Sequence, residues 1–137
     1  MGLDATLNVR KYLWDEPGLK NTIKEKTNSW DFEPESINFE IIYWRKAWQI
    51  HDFFIDHTSG PIDDNCFFIE RELIEDLYNR ICKILKEPSI ALDILPDTEA
   101  DEKYFWQLKY TKKSLENLFN SELWISGYYD FYYEASW

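Results

Sequence analysis

The sequence predicts an α+β domain: a small, mostly antiparallel sheet built from N-terminal, middle and C-terminal strands and covered by three helices. Three observations carry this. Both ends of the chain alternate apolar and polar residues with period two, and the middle repeats its apolar residues at three- and four-residue steps. The apolar share, 45% of 137 residues, is that of a chain that folds around one core. A chain of this length fits a single domain, residues 1–137, and shows no internal repeat.

Leu3, Ala5, Leu7, Val9 and Leu13 place alternate side chains on one face, which makes residues 3–13 a strand. Residues 14–35 hold Asp15-Glu16-Pro17-Gly18, Asn28-Ser29 and Glu33-Pro34 around a polar run without a stripe, so a long surface loop is expected. Ile37, Phe39, Ile41 and Tyr43 alternate again and give a second strand over 36–43. From Trp44 the period becomes helical: Trp44, Ala47, Trp48, His51, Phe54 and Ile55 share a face that ends near Thr58-Ser59-Gly60-Pro61. Residues 66–69 make a short strand or an extended lead-in. Residues 70–86 form the cleanest amphipathic helix, with Glu70 and Glu72 in the first turn and Lys83 and Lys86 in the last, as the helix dipole favours. Pro88 stops it, and residues 89–95 add a helical turn. The acidic stretch 97–102 opens the third helix, whose stripe is Phe105, Leu108, Thr111, Leu115, Leu118 and Phe119. Residues 124–137 read as a final strand or two, with Gly127 at a bulge or turn.

Fifteen basic against 26 acidic residues leave a net charge of −11, which argues against a phosphate-backbone binder with a broad basic face. No apolar stretch approaches the roughly 20 residues of a membrane span, and no signal peptide is expected. Cys66 and Cys82 read as reduced cytosolic thiols, with Cys82 a small buried hydrophobe. Met1-Gly2-Leu3-Asp4-Ala5-Thr6 formally satisfies a myristoylation pattern, and a strand starting straight after the initiator Met explains it equally.

The densest candidate for function is Tyr43-Trp44-Arg45-Lys46-Ala47-Trp48-Gln49-Ile50-His51. With Arg45 and Lys46 in the first turn of a helix, each cation opposes the dipole by about 0.3–1 kcal/mol. A bound anion removes that cost. Phosphate held by Arg45, Lys46 and free N–H groups, with Trp44 or Trp48 stacked on a base, is one reading. The other pairs the two cations with surplus surface acids and puts the Trp rings in the core. Both stay open. His51 lies on the apolar stripe, as a buried hydrogen-bonded ring or as a ligand contact. His57 lies six residues on, roughly 240° around an ideal helix, so the two cannot form an i, i+4 metal pair, and no HExxH is present. No metal, cofactor or catalytic residue is expected: Asp52, Asp56, Asp63, Asp64, Asp97, Glu99, Asp101 and Glu102 show no convergent spacing. In the aromatic tail, Tyr128, Tyr132 and Trp137 face away from the packed row and suit a ligand wall or an interface, including one between copies of the chain.

These segments resemble a family of small proteins of tailed phages and prophages. Those open with Met-Gly-Leu-Asp, carry a Tyr-Trp-Arg-Lys-Ala…Ile-His…Phe segment and close on aromatics with Ser-Ser-Trp. The matching residues are Met1 to Asp4; Tyr43, Trp44, Arg45, Lys46, Ala47, Ile50, His51 and Phe54; and Tyr132, Tyr133, Ser136 and Trp137. Ala135 stands where the family has its first Ser, so no hydroxyl role carries over there. The resemblance implies a phage-encoded accessory protein in the host cytoplasm and transfers no catalytic residue. The expectation is a non-enzymatic protein that captures a nucleotide-type small signalling molecule as a counter-defence sponge. The alternative is an acidic inhibitor that occupies a host nucleic-acid-binding or defence enzyme. A third reading keeps the ligand and adds metal-dependent phosphodiester hydrolysis.

Overall fold

Strand β1 (Asp4–Tyr12), whose alternation puts one row of apolar side chains on a single face, is one of the sheet's two interior strands. It pairs antiparallel with β2 (Ser36–Arg45) on one side and with β4 (Asp130–Ser136) on the other, and β4 pairs in turn with β3 (Cys66–Ile69). The sheet is therefore wholly antiparallel, in the order β2-β1-β4-β3, in a computed structural model that describes residues 2–137. Met1, the first residue of the opening motif and of the myristoylation pattern, lies outside the described residues.

One face of the sheet is covered by α2 (Trp48–His57), α3 (Arg71–Lys86) and α5 (Glu102–Phe119). Leu3, Ala5, Leu7 and Val9 of β1, Ile42 and Trp44 of β2, and Phe131, Tyr133 and Ala135 of β4 meet Ile50 and Phe54, Ile74 to Ile84, and Leu108 to Leu118 from those helices. Each large side chain so enclosed contributes about 1.5–3 kcal/mol. The opposite face carries Thr6, Asn8, Arg10 and Tyr12 beside Tyr132, Phe68 and Tyr43. The α+β class, the antiparallel sheet and the three covering helices are thus as expected.

Four details differ. Residues 14–35 are not all loop: α1 (Pro17–Thr27) runs through them. Pro17 fits the first helical turn, where its missing N–H is no loss, and Asn28 ends the helix in the left-handed conformation (φ 51°). Its single buried residue is Lys24, which forms an ion pair with Glu33, so no apolar stripe announces it. Residues 124–137 begin with a helical turn, α6, after a further short helix, α4; these are Glu122–Ile125 and Ala91–Ile94, and only residues 130–136 are strand. Cys82 is half-buried, not enclosed.

The fourth difference shapes the site. Strand β2 runs on to Arg45, and α2 begins at Trp48, not at Trp44. Between Leu7 and Asn8 the pairing register shifts, leaving Ile41 as an extra residue on β2. That bulge swaps the faces of everything after it. Ile42 and Trp44 turn into the core, and Tyr43 and Arg45 turn out, opposite Thr6 and Asp4.

Candidate functional site

The chain leaves β2 through Lys46, whose backbone is left-handed (φ 56°) and whose N–H donates to the Leu3 carbonyl at 2.6 Å. This conformation costs a residue with a Cβ roughly 1–2 kcal/mol, so it persists only where the surroundings fix it. They do so with a buried amide network. Gln49 Nε2 donates to Gln107 Oε1 at 2.9 Å, and Gln107 Nε2 donates to the Arg45 carbonyl at 3.1 Å, tying the strand end and the start of α2 to α5. The Trp44 indole N–H donates to Thr111 Oγ1 at 2.8 Å from within the core.

Arg45 and Lys46 therefore do not sit in the first turn of a helix, and the expected conflict with the helix dipole is absent. They line instead a groove of 470 Å³ where α5 crosses the end of the edge strand. Tyr43, Arg45 and Lys46 form one wall; Lys103, Trp106 and Tyr110 form the other; Trp44 and Gln107 lie beneath. Trp106 is 62% exposed and stacks on Tyr110 with centroids 5.5 Å apart and planes within 3°. Among the described residues, none of Arg45, Lys46 and Lys103 is ion-paired with a carboxylate. Tyr43 donates its hydroxyl to Asp4 Oδ1 at 2.7 Å, and that carboxylate holds the phenol above its ordinary pKa.

The other residues singled out from the sequence fall into two further places. Trp48, His51 and Trp137 form a cluster behind the groove: the His51 ring is 5.6 Å from Trp48 and 4.7 Å from Trp137, each edge-on. His51 is buried and shares a 2.8 Å hydrogen bond through Nδ1 with the hydroxyl of fully buried Tyr133. Burial pushes the His51 pKa down and the Tyr133 pKa up, so both stay neutral near pH 7. Of the two readings for this ring, the buried, hydrogen-bonded one describes it.

Tyr132 and Tyr128 do not join the groove. Tyr132 faces the far side of the sheet, only 6% exposed, with Arg10 4.3 Å above its ring and its hydroxyl 3.0 Å from that of Tyr12. Tyr128 lies with Tyr12 and Trp14 at the other end of β1, about 25 Å from Arg45 by strand rise. The residues missed by sequence reasoning are Lys103, Trp106, Gln107 and Tyr110. Their signal was there: a Trp and a Tyr four residues apart on the polar side of a helix, with a Lys three residues before them.

A second groove, of 540 Å³, opens on the uncovered sheet face. Its carboxylates are Asp4, Asp63, Asp64 and Glu134, around Arg10 and Cys66. Burial and the neighbouring Glu134 push the Cys66 thiol up, away from the reactive thiolate. Among the described residues no three His, Cys, Asp or Glu side chains are grouped to hold a metal ion, and no helix is long and apolar enough to cross a membrane. No family model, curated protein or solved structure matches the chain.

Proposed function

We propose that this chain is a non-enzymatic binding protein that captures a nucleotide-type small molecule in the groove between the end of β2 and α5. One observation carries the reading. In a chain of net charge −11, three cations with no carboxylate ion pair among the described residues gather beside exposed Tyr and Trp rings around a single groove. Cations accept the phosphate, with Arg45 able to do so bidentately, while Trp106 presents a flat surface to the base. The groove's lining offers cations, rings and one amide but no Ser, Cys, His, Asp or Glu side chain, which favours capture over turnover. The resemblance to small phage proteins supplies the setting: an accessory protein acting as a sponge for a host immune signal in the host cytoplasm.

The test is calorimetric titration with ADP, followed by chromatography of the released ligand. Saturable binding with ADP recovered unchanged is the expected result. Recovery of a converted product makes the chain an enzyme. Silence toward ADP shifts the case to a second reading, which the acidic groove on the open sheet face favours: an inhibitor that presents carboxylates to a basic site on a host enzyme, through a complex weakened by salt.

A further inference from the structure

The cationic groove has a neighbour on either side, and the two neighbours are chemically opposite. Tyr43 is shared with the acidic groove, where Asp4, Asp63 and Glu134 repel a phosphate-bearing ligand. Trp106 is shared with a third groove, of 450 Å³, whose walls are Leu85, Pro88 and Phe105 with Glu102 and Lys109 at its rim. Helix α5 generates this arrangement directly. Residues 103, 107 and 110 run along one flank and 102, 105 and 109 along the other, and Trp106 stands between the two lines.

We infer that the ligand is of dinucleotide type, lying across Trp106 with its phosphates among Arg45, Lys46 and Lys103 and its second base in the apolar groove. This rests on the reading that the cationic groove takes a nucleotide. Three arguments extend that reading. A ligand held by its phosphates meets carboxylates on the side of Tyr43, which favours growth toward Trp106 and the apolar groove. The apolar groove is walled by flat surfaces, the Trp106 indole, the Phe105 ring and the Pro88 ring, which suit a planar partner better than a branched or charged one. The single Trp106 ring, held in plane against Tyr110, belongs to the walls of both grooves, so two bases separated by a phosphate bridge meet one common platform. Glu102 and Lys109 then offer an acceptor and a donor to the edge of the second base.

Binding of three probes by the full chain tests this: ADP, the dinucleotide pApA, which also carries two phosphates, and dephospho-coenzyme A, which carries an aliphatic arm on an ADP unit. The expected result is pApA bound about tenfold or more tighter than ADP, the gain of one extra stacked base. Pro88→Asp, which puts a carboxylate on an exposed turn of the apolar groove, should remove that advantage and leave ADP affinity within about twofold. Equal affinity for ADP and pApA overturns the inference and leaves the proposed function standing. Binding of none of the three overturns both. A gain for dephospho-coenzyme A as large as that for pApA also overturns it, because the third groove then takes an aliphatic arm and not a ring.

Discussion

The two grooves that meet at Tyr43 are close in size, 470 and 540 Å³, and opposite in charge, and they differ most in how their charges are partnered. On the acidic side Arg10 is engaged: it donates to Asn38 Oδ1 at 3.1 Å and lies over the Tyr132 ring. The loop above it is closed by its own backbone. Ile62 N–H donates to the Cys66 carbonyl, Cys66 N–H to the Asp63 carbonyl, and Ala135 N–H to the Asn65 carbonyl. On the basic side the backbone is equally well tied, through Gln107 and Leu3, but among the described residues the three cationic heads have no carboxylate ion pair. Among 26 acids and 15 bases, hydrated carboxylates are the background of this surface. Three cations gathered beside exposed rings, one of them, Lys46, on a left-handed backbone, stand out from that background, and they are what a ligand can use.

The contrast can be broken most sharply by charge. Reversing Arg45 and Lys46 together, R45E with K46E, should weaken ADP binding by about 100-fold or more, since each removes a charge-assisted contact worth roughly 1.5–3 kcal/mol. Neutralising the other groove, D63N with D64N, should leave ADP affinity within about twofold. Calorimetry on the two double variants decides between the grooves. A gain in ADP affinity in D63N with D64N comparable to the loss in R45E with K46E would mean that the field of the whole end of the molecule, and not particular cations, sets the affinity.

How far this contrast was legible in the sequence depends on the element. Strand β1, helix α3 and the terminal strand follow directly from period, because Leu3 to Val9 and Leu73 to Leu85 each satisfy one repeat and no other. Residues 44–48 satisfy two. Ile42 and Trp44 against Tyr43 and Arg45 is a good strand, and Trp44, Ala47, Trp48 and His51 is a good helix face. A bulge at Ile41 and a left-handed turn at Lys46 settle the competition, and neither has a spacing signature when the residues are Ile and Lys. Helix α1 was hidden for the opposite reason, its one buried side chain being a lysine. The basic dipeptide was found and its helical placement was wrong; the opposite wall of the groove was in plain view on α5 and needed only the tertiary fold to bring it alongside.

A second, smaller difference concerns acid. The basic end of the sheet is backed by His51, buried with its pKa held below the ordinary value near 6.5 by burial. Above that value neither the folded nor the unfolded chain binds this proton, and stability is unaffected. As pH falls below about 6.5 the unfolded chain takes a proton that the folded chain refuses, so stability drops, by at most about 1.4 kcal/mol per pH unit, and levels off below the folded pKa. Asp52 opposes this, because burial raises its pKa and the folded state takes its proton first as pH falls toward 4. Urea unfolding between pH 7.5 and 5.5 should therefore show the midpoint falling with acid, and H51Q should flatten the slope. An unchanged slope in H51Q would remove His51 as the source.

The smallest effect is the most specific, because each groove contains one non-glycine residue with positive φ: Lys46 at 56° in the basic one and Asp64 at 33° in the acidic one. Asp tolerates this region through local hydrogen bonding by its short polar side chain, whereas Lys has no such compensation. Replacing Lys46 with Gly relieves the Cβ strain, and the extra freedom of Gly in the unfolded chain returns part of the gain, so K46G should stabilise by about 0.5–1 kcal/mol. It should also weaken ADP binding by about tenfold, through the lost ammonium. D64G should change stability by no more than a few tenths of a kcal/mol and leave ADP affinity unchanged. The measurements are urea midpoints at constant m and calorimetric affinities on the same samples. Stability and binding moving in opposite directions at Lys46, and neither moving at Asp64, is what strain kept for a ligand predicts. A K46G chain less stable than its parent would instead make Lys46 a residue that serves the fold.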